Sequence, residues 1–222
     1  MSWLAWEVVG VAQINRSWMT WNLILAFIPA FLAIPLLWRP HRRTAGWWIG
    51  IAVFALFLPN APYVLTDLIH LRSDAARAAS DAVLVFGVLP IYGAFVLLGM
   101  GSYLFCVEGI VREVQGVRPG TTRSLIEVPV HALCALGIVI GRIARLNSWD
   151  TITRPVGTAE TVFSTLTWGG APAAFVAVFV AVWFSYLVLR TLAVAFLAWA
   201  RRWAGRFGFL GARSAAPVDP AH

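Results

Sequence analysis

The sequence predicts an all-α integral membrane bundle of about five transmembrane helices with short interfacial helices, and three observations carry that reading. Apolar residues make up 60% of the chain, charged residues only 12%, and the mean hydropathy is +0.77, far from the range of soluble domains. The apolar residues gather into five runs, separated by short arginine-bearing connections. Reactive side chains concentrate in two stretches, residues 58–71 and 141–150.

Charge narrows the function. The net charge is +7 and the isoelectric point near 10.7, values that would suit a nucleic-acid binder. All 17 basic residues are arginine, however, and they sit in clusters between apolar runs. That placement reads as membrane topology and contact with anionic lipid head groups, not with nucleic acid. Cys106 and Cys134 fall inside apolar runs without a CxxC spacing, so buried free thiols are expected.

Residues 1–17 lack a basic start and a small-residue cleavage site, which predicts an interfacial lead-in rather than a signal peptide. A single transmembrane domain is expected over residues 18–207. Its first span, residues 18–38, tolerates Pro29 and Pro35 as kinks. The second, residues 45–58, is short for a hydrocarbon core that needs about 20 residues. It crosses only by starting in the interface at Trp47 and Trp48, or if residues 63–71 dip back into the bilayer. The third covers residues 82–107, and residues 108–127 form the longest polar connection. The fourth covers residues 128–143, and residues 151–165 read as a polar loop. The fifth, residues 168–192, continues as a surface extension to 206, and a disordered tail is expected over 208–222. Gly46/Gly50 and Gly137/Gly141 place small residues one turn apart, a spacing that permits close helix approach.

Orientation follows from arginine. Alternate connections hold eleven arginines on one side and six on the other. The richer side is expected in the cytoplasm, which puts the N-terminus in the periplasm and the C-terminus in the cytoplasm of an inner membrane.

In the first polar stretch, Pro59 and Pro62 cannot donate to a helix ladder, so the preceding helix should end near Leu58. Asn60 is placed to bond the freed backbone groups. A new helix over residues 63–71 would stack Tyr63, Asp67 and His70 on one face. The second stretch presents Arg142, Arg145, Asn147 and Asp150 on the same side of the membrane. The strings Leu-Pro-Asn-Ala-Pro-Tyr-Val-Leu-Thr-Asp-Leu-Ile-His-Leu and Gly-Arg-x-x-Arg-Leu-Asn-Ser-Trp-Asp resemble the two signature stretches of an uncharacterised bacterial membrane family, domain-of-unknown-function family 1361. The resemblance covers residues from about 20 to 195. It implies a small multi-pass inner-membrane protein and supplies no activity.

Three readings of these residues remain open. Arg142 or Arg145 can pair with Asp67 or Asp150 and staple helices, because ionisable groups near hydrocarbon are costly unless paired. Alternatively, Arg142 and Arg145 face an anionic ligand while Asn60 and Tyr63 orient it, with Asn147 and Asp150 completing the site. A lipid head group, a lipid-linked sugar or a membrane protein partner fits that reading. In the third, an enzyme acts on an envelope substrate, with Asp67 orienting His70 as the acid–base pair. No cofactor is expected. Asp67, His70 and Asp74 could offer three metal ligands, but the neighbouring arginines oppose a cation. His131, alone among apolar neighbours, reads as a core residue.

Overall fold

The computed structural model describes the backbone of residues 3–144 and 153–214. It is all-α, with no strand among the described residues. Among the described residues, five helical stretches are long and apolar enough to cross a membrane: Ser17–Trp38, Ala45–Arg77, Asp81–Val117, Arg123–Ile143 and Ala171–Ala204. The chain is therefore a multi-pass membrane protein. Two compact units divide it, Met1–Tyr186 and Leu187–His222, and the candidate site lies in the first.

The first helix, α1 (Trp3–Ala33), runs through the expected lead-in and into a π-helical turn at Ile34–Trp38. Pro35, inside that turn, has no N–H for the regular ladder, and Arg39 bonds instead to Ile34 O, five residues back, at 3.1 Å. Next come α2 (Ala45–Phe57), the four-residue α3 (Asn60–Tyr63) and α4 (Ile69–Arg77). A short α5 (Asp81–Val83) leads through a π turn into α6 (Leu89–Val117). Then α7 (Arg123–Ala144), α8 (Pro155–Thr167) and α9 (Ala171–Ser214) follow. The long helix α9 crosses from the first unit into the second at Tyr186.

At the centre of the first unit, α1 packs along α6, with α3 wedged beside both. Small residues make this possible: Ala26 and Ala33 are fully buried, and Ser102 Oγ donates to Ala26 O at 2.6 Å across the helix pair. A Cβ on Gly99 would stand 2.6 Å from Val64 and 3.1 Å from Ala61 O, so the end of α3 lies almost on the backbone of α6. The expected glycine pairs behave unequally. Gly137 seats Pro59 and Gly50 seats Leu36, whereas Gly46 meets only its own cap residue, Thr44.

Two connections are shorter than the sequence suggests. The polar run expected over residues 108–127 is mostly helix, because α6 continues to Val117 and α7 starts at Arg123. Several charges there are paired: Arg123 with both Glu108 and Glu127, and Glu113 with Arg43 at 2.6 Å, while Tyr186 Oη donates to Glu127 at 2.6 Å. Likewise, residues 155–167 of the expected polar loop form α8.

Candidate functional site

The site begins where α2 ends. Leu58 caps the helix, and Asn60 Nδ2 donates to Phe57 O at 2.9 Å, taking up a carbonyl that Pro62 and its neighbours leave without a donor. The single helix expected over residues 63–71 is not formed. Thr66 Oγ1 donates to Tyr63 O at 2.7 Å, occupying the acceptor that the Asp67 amide would use in an α-helix. Asp67 N bonds to Val64 O instead, at 3.3 Å, and residues Thr66–Leu68 tighten into a 3₁₀ turn before α4 begins. Consequently Asp67 and His70 part company. Asp67 turns inward and is 1% exposed, while His70 stays outside with its ring against Trp18 at 4.9 Å.

Asp67 is the buried centre of a three-element lock. Asn22 Nδ2, on α1, donates to Asp67 Oδ2 at 2.7 Å. An Arg142 guanidinium nitrogen, on α7, stands 3.2 Å from Asp67 Oδ1. That same guanidinium donates to Thr66 O at 2.6 Å and to Tyr63 Oη at 3.2 Å, and lies over the Tyr63 ring at 5.2 Å. A carboxylate removed from water is costly unless it is paired, and here one amide meets one oxygen and one guanidinium the other. The start of span one and the ends of spans two and four thus meet at one level of the membrane.

A cavity of about 940 Å³ opens beside this lock. Its polar end holds Asn22, Asn60, Tyr63, His70, Arg142 and Thr158. Leucine, isoleucine, valine and alanine side chains of α1, α2, α7 and α8 form most of the remainder. Asp67 is not in the wall, whereas Asn22 and Arg142, the two side chains that hold it, are. Arg142 is the one residue of fixed charge in the described lining, and no carboxylate faces the cavity there.

Comparison with known proteins agrees with the two motifs. A family model described as protein of unknown function (DUF1361) matches residues 21–198. The chain belongs to this family. No curated protein and no solved structure matches it. The matched DUF1361 segment takes in every residue of the lock and of the cavity wall, from Trp21 to Val162.

Of the residues expected at the site, Asn60, Tyr63, His70 and Arg142 line the cavity and Asp67 supports it from behind. Arg145, Asn147 and Asp150 lie outside the described residues. Asp67 and His70 share no hydrogen bond, and Asp74 engages Tyr92 Oη at 2.8 Å and Arg77 at 3.6 Å. Sequence reasoning missed Asn22 and Thr158. A signal for Asn22 existed, since it is the only carboxamide in an otherwise apolar first span, and such groups seek partners inside a bundle. Thr158 was hidden in a segment read as loop.

A second, smaller cavity of about 190 Å³ lies between Pro62, Leu65, Thr66, Ile138 and Val182. Cys106 and Cys134 are free, buried thiols. His131 is fully buried, with Nδ1 2.6 Å from Tyr103 Oη and its ring against Tyr186.

Proposed function

We propose that this protein binds an anionic group at the polar end of the cavity and acts as a binding protein of the bacterial inner membrane. The observation that carries the reading is the charge of the wall: one guanidinium, several neutral donors, and no carboxylate among the described lining residues. A phosphate or carboxylate head group is the complement of such a wall. Arginine asymmetry favours the periplasmic face for the site, with the N-terminus on that side and the C-terminus in the cytoplasm.

Position argues for binding over catalysis. An acid–base role needs Asp67 in the cavity wall or hydrogen-bonded to His70, whereas it is absent from the wall, shares no hydrogen bond with His70, and has its oxygens on Asn22 and Arg142. Asp67 serves by fixing the guanidinium, whose five N–H donors are not all used by Tyr63, Thr66 and Asp67.

Native mass spectrometry of protein released from mixed phosphatidylcholine–phosphatidic acid nanodiscs tests the reading. Arg142→Gln alone would strand a buried carboxylate, so the informative variant is Asp67→Asn combined with Arg142→Gln. Hydrogen bonds to charged groups contribute about 1.5–3 kcal/mol, so retention of phosphatidic acid should fall roughly tenfold or more. Equal retention by parent and double variant would overturn the proposal.

A further inference from the structure

We infer that the ligand is a long-chain amphiphile whose hydrocarbon chain lies in the slot between α2 and α7, with its anionic head at Arg142. The inference rests on the anion-binding reading above but is carried by a different observation, the apolar length of the cavity. Below its polar end the space is walled by Leu25, Ala52, Leu56, Leu133, Leu136 and Ile140. These side chains have no polar atom with which to hold a soluble anion. A free phosphate or small carboxylate would use only the rim and leave most of the 940 Å³ unfilled.

The slot is open where a lipid chain could enter. Ala52 is mid-way along α2 and exposed, and Leu133 is mid-way along α7 and 49% exposed, yet both line the cavity. The opening therefore lies at the depth of the hydrocarbon core, on helices that cross it. Alanines at 52 and 55 on α2 leave room where larger residues would close the gap, and α7 faces them with Leu133 and Leu136. Head and chain are thus placed as in a bilayer lipid: charge at the membrane surface, methylenes at depth. A water-soluble anion supplies only the first half of this complement.

Photoactivatable phosphatidic acid, carrying a diazirine in its acyl chain, tests the inference in phosphatidylcholine nanodiscs, alongside inorganic phosphate binding measured by calorimetry. The parent should cross-link within α2 and α7 at wall residues, and Ala52→Phe, which fills the slot, should cut that labelling at least about tenfold. Leu133→Trp closes the mouth from the other helix and should do the same, so the result does not hinge on one variant's folding. The Asp67→Asn/Arg142→Gln protein should lose wall labelling while the outward faces of the helices are labelled as before. If inorganic phosphate binds in an Arg142-dependent way but the lipid labels only outward-facing positions, the chain-slot inference fails and the anion site stands. If neither phosphate nor lipid depends on Arg142, both fail together.

Discussion

Arg142 and Asp67 divide two tasks between them. Asp67, 1% exposed, is structural support, and Arg142, with about a third of its side chain exposed, belongs to both lock and cavity. Asp67→Asn should keep the bond to Asn22 but weaken the hold on a half-buried guanidinium. A loss of about 1–3 kcal/mol is expected, read as a lower unfolding temperature of the detergent-purified protein. Adding Arg142→Gln removes the charge left over, so the double variant should regain most of that stability; a further loss of similar size would mean that the two residues are not coupled. His70→Ala removes only an exposed ring from Trp18 and should change stability by less than about 0.5 kcal/mol in the same assay.

Among the elements, α3 is held closely at both ends, and the residues that flank it say which glycines matter. Gly99→Ala would put a methyl 2.6 Å from Val64, and Gly137→Ala would put one 2.7 Å from Pro59. Each should destabilise by about 1–3 kcal/mol through overpacking. Gly101→Ala, with nothing within 4 Å, should be neutral or stabilise by up to about 1 kcal/mol through helix propensity. Reversal of that order in thermal unfolding would place α3 elsewhere. Much of this level was legible in the sequence. Five apolar runs announced five spans, and Pro59 and Pro62 announced the break after α2. What escaped was the helix type between Thr66 and Leu68, because a Thr66 hydroxyl competing for Tyr63 O leaves no trace in hydrophobic periodicity. The polar run from Glu108 to Glu127 misled for a related reason. Its charges meet partners both within the run and far from it, Glu127 meeting Tyr186 about 60 positions on and Glu113 meeting Arg43 about 70 positions back, so composition alone cannot distinguish them from a solvated loop.

For the whole molecule, the meeting of spans one, two and four at one level requires the α4 end and α8 to share a side of the membrane. Single cysteines at Ser73 and Glu160, in a protein with Cys106 and Cys134 replaced by alanine, should react with an impermeant thiol reagent in intact cells. A cysteine at Arg118, in the short connection between α6 and α7, should not. Labelling of Arg118→Cys instead of the other two would turn the protein over and put the cavity in the cytoplasmic half. Arginine asymmetry supplies an expectation for the side of the site, which the labelling tests, and the cavity was not readable at all. A void between α2 and α7 is set by which helices fail to touch, and no local pattern records that. A crystal structure of the protein with dodecyl phosphate tests the ligand site at atomic level. The phosphate should lie within ion-pair distance of Arg142, about 4 Å, with the chain running past Ala52 and Leu133. A phosphate seated on another arginine cluster, with the cavity beside Arg142 empty, would rule out an anion site at Arg142.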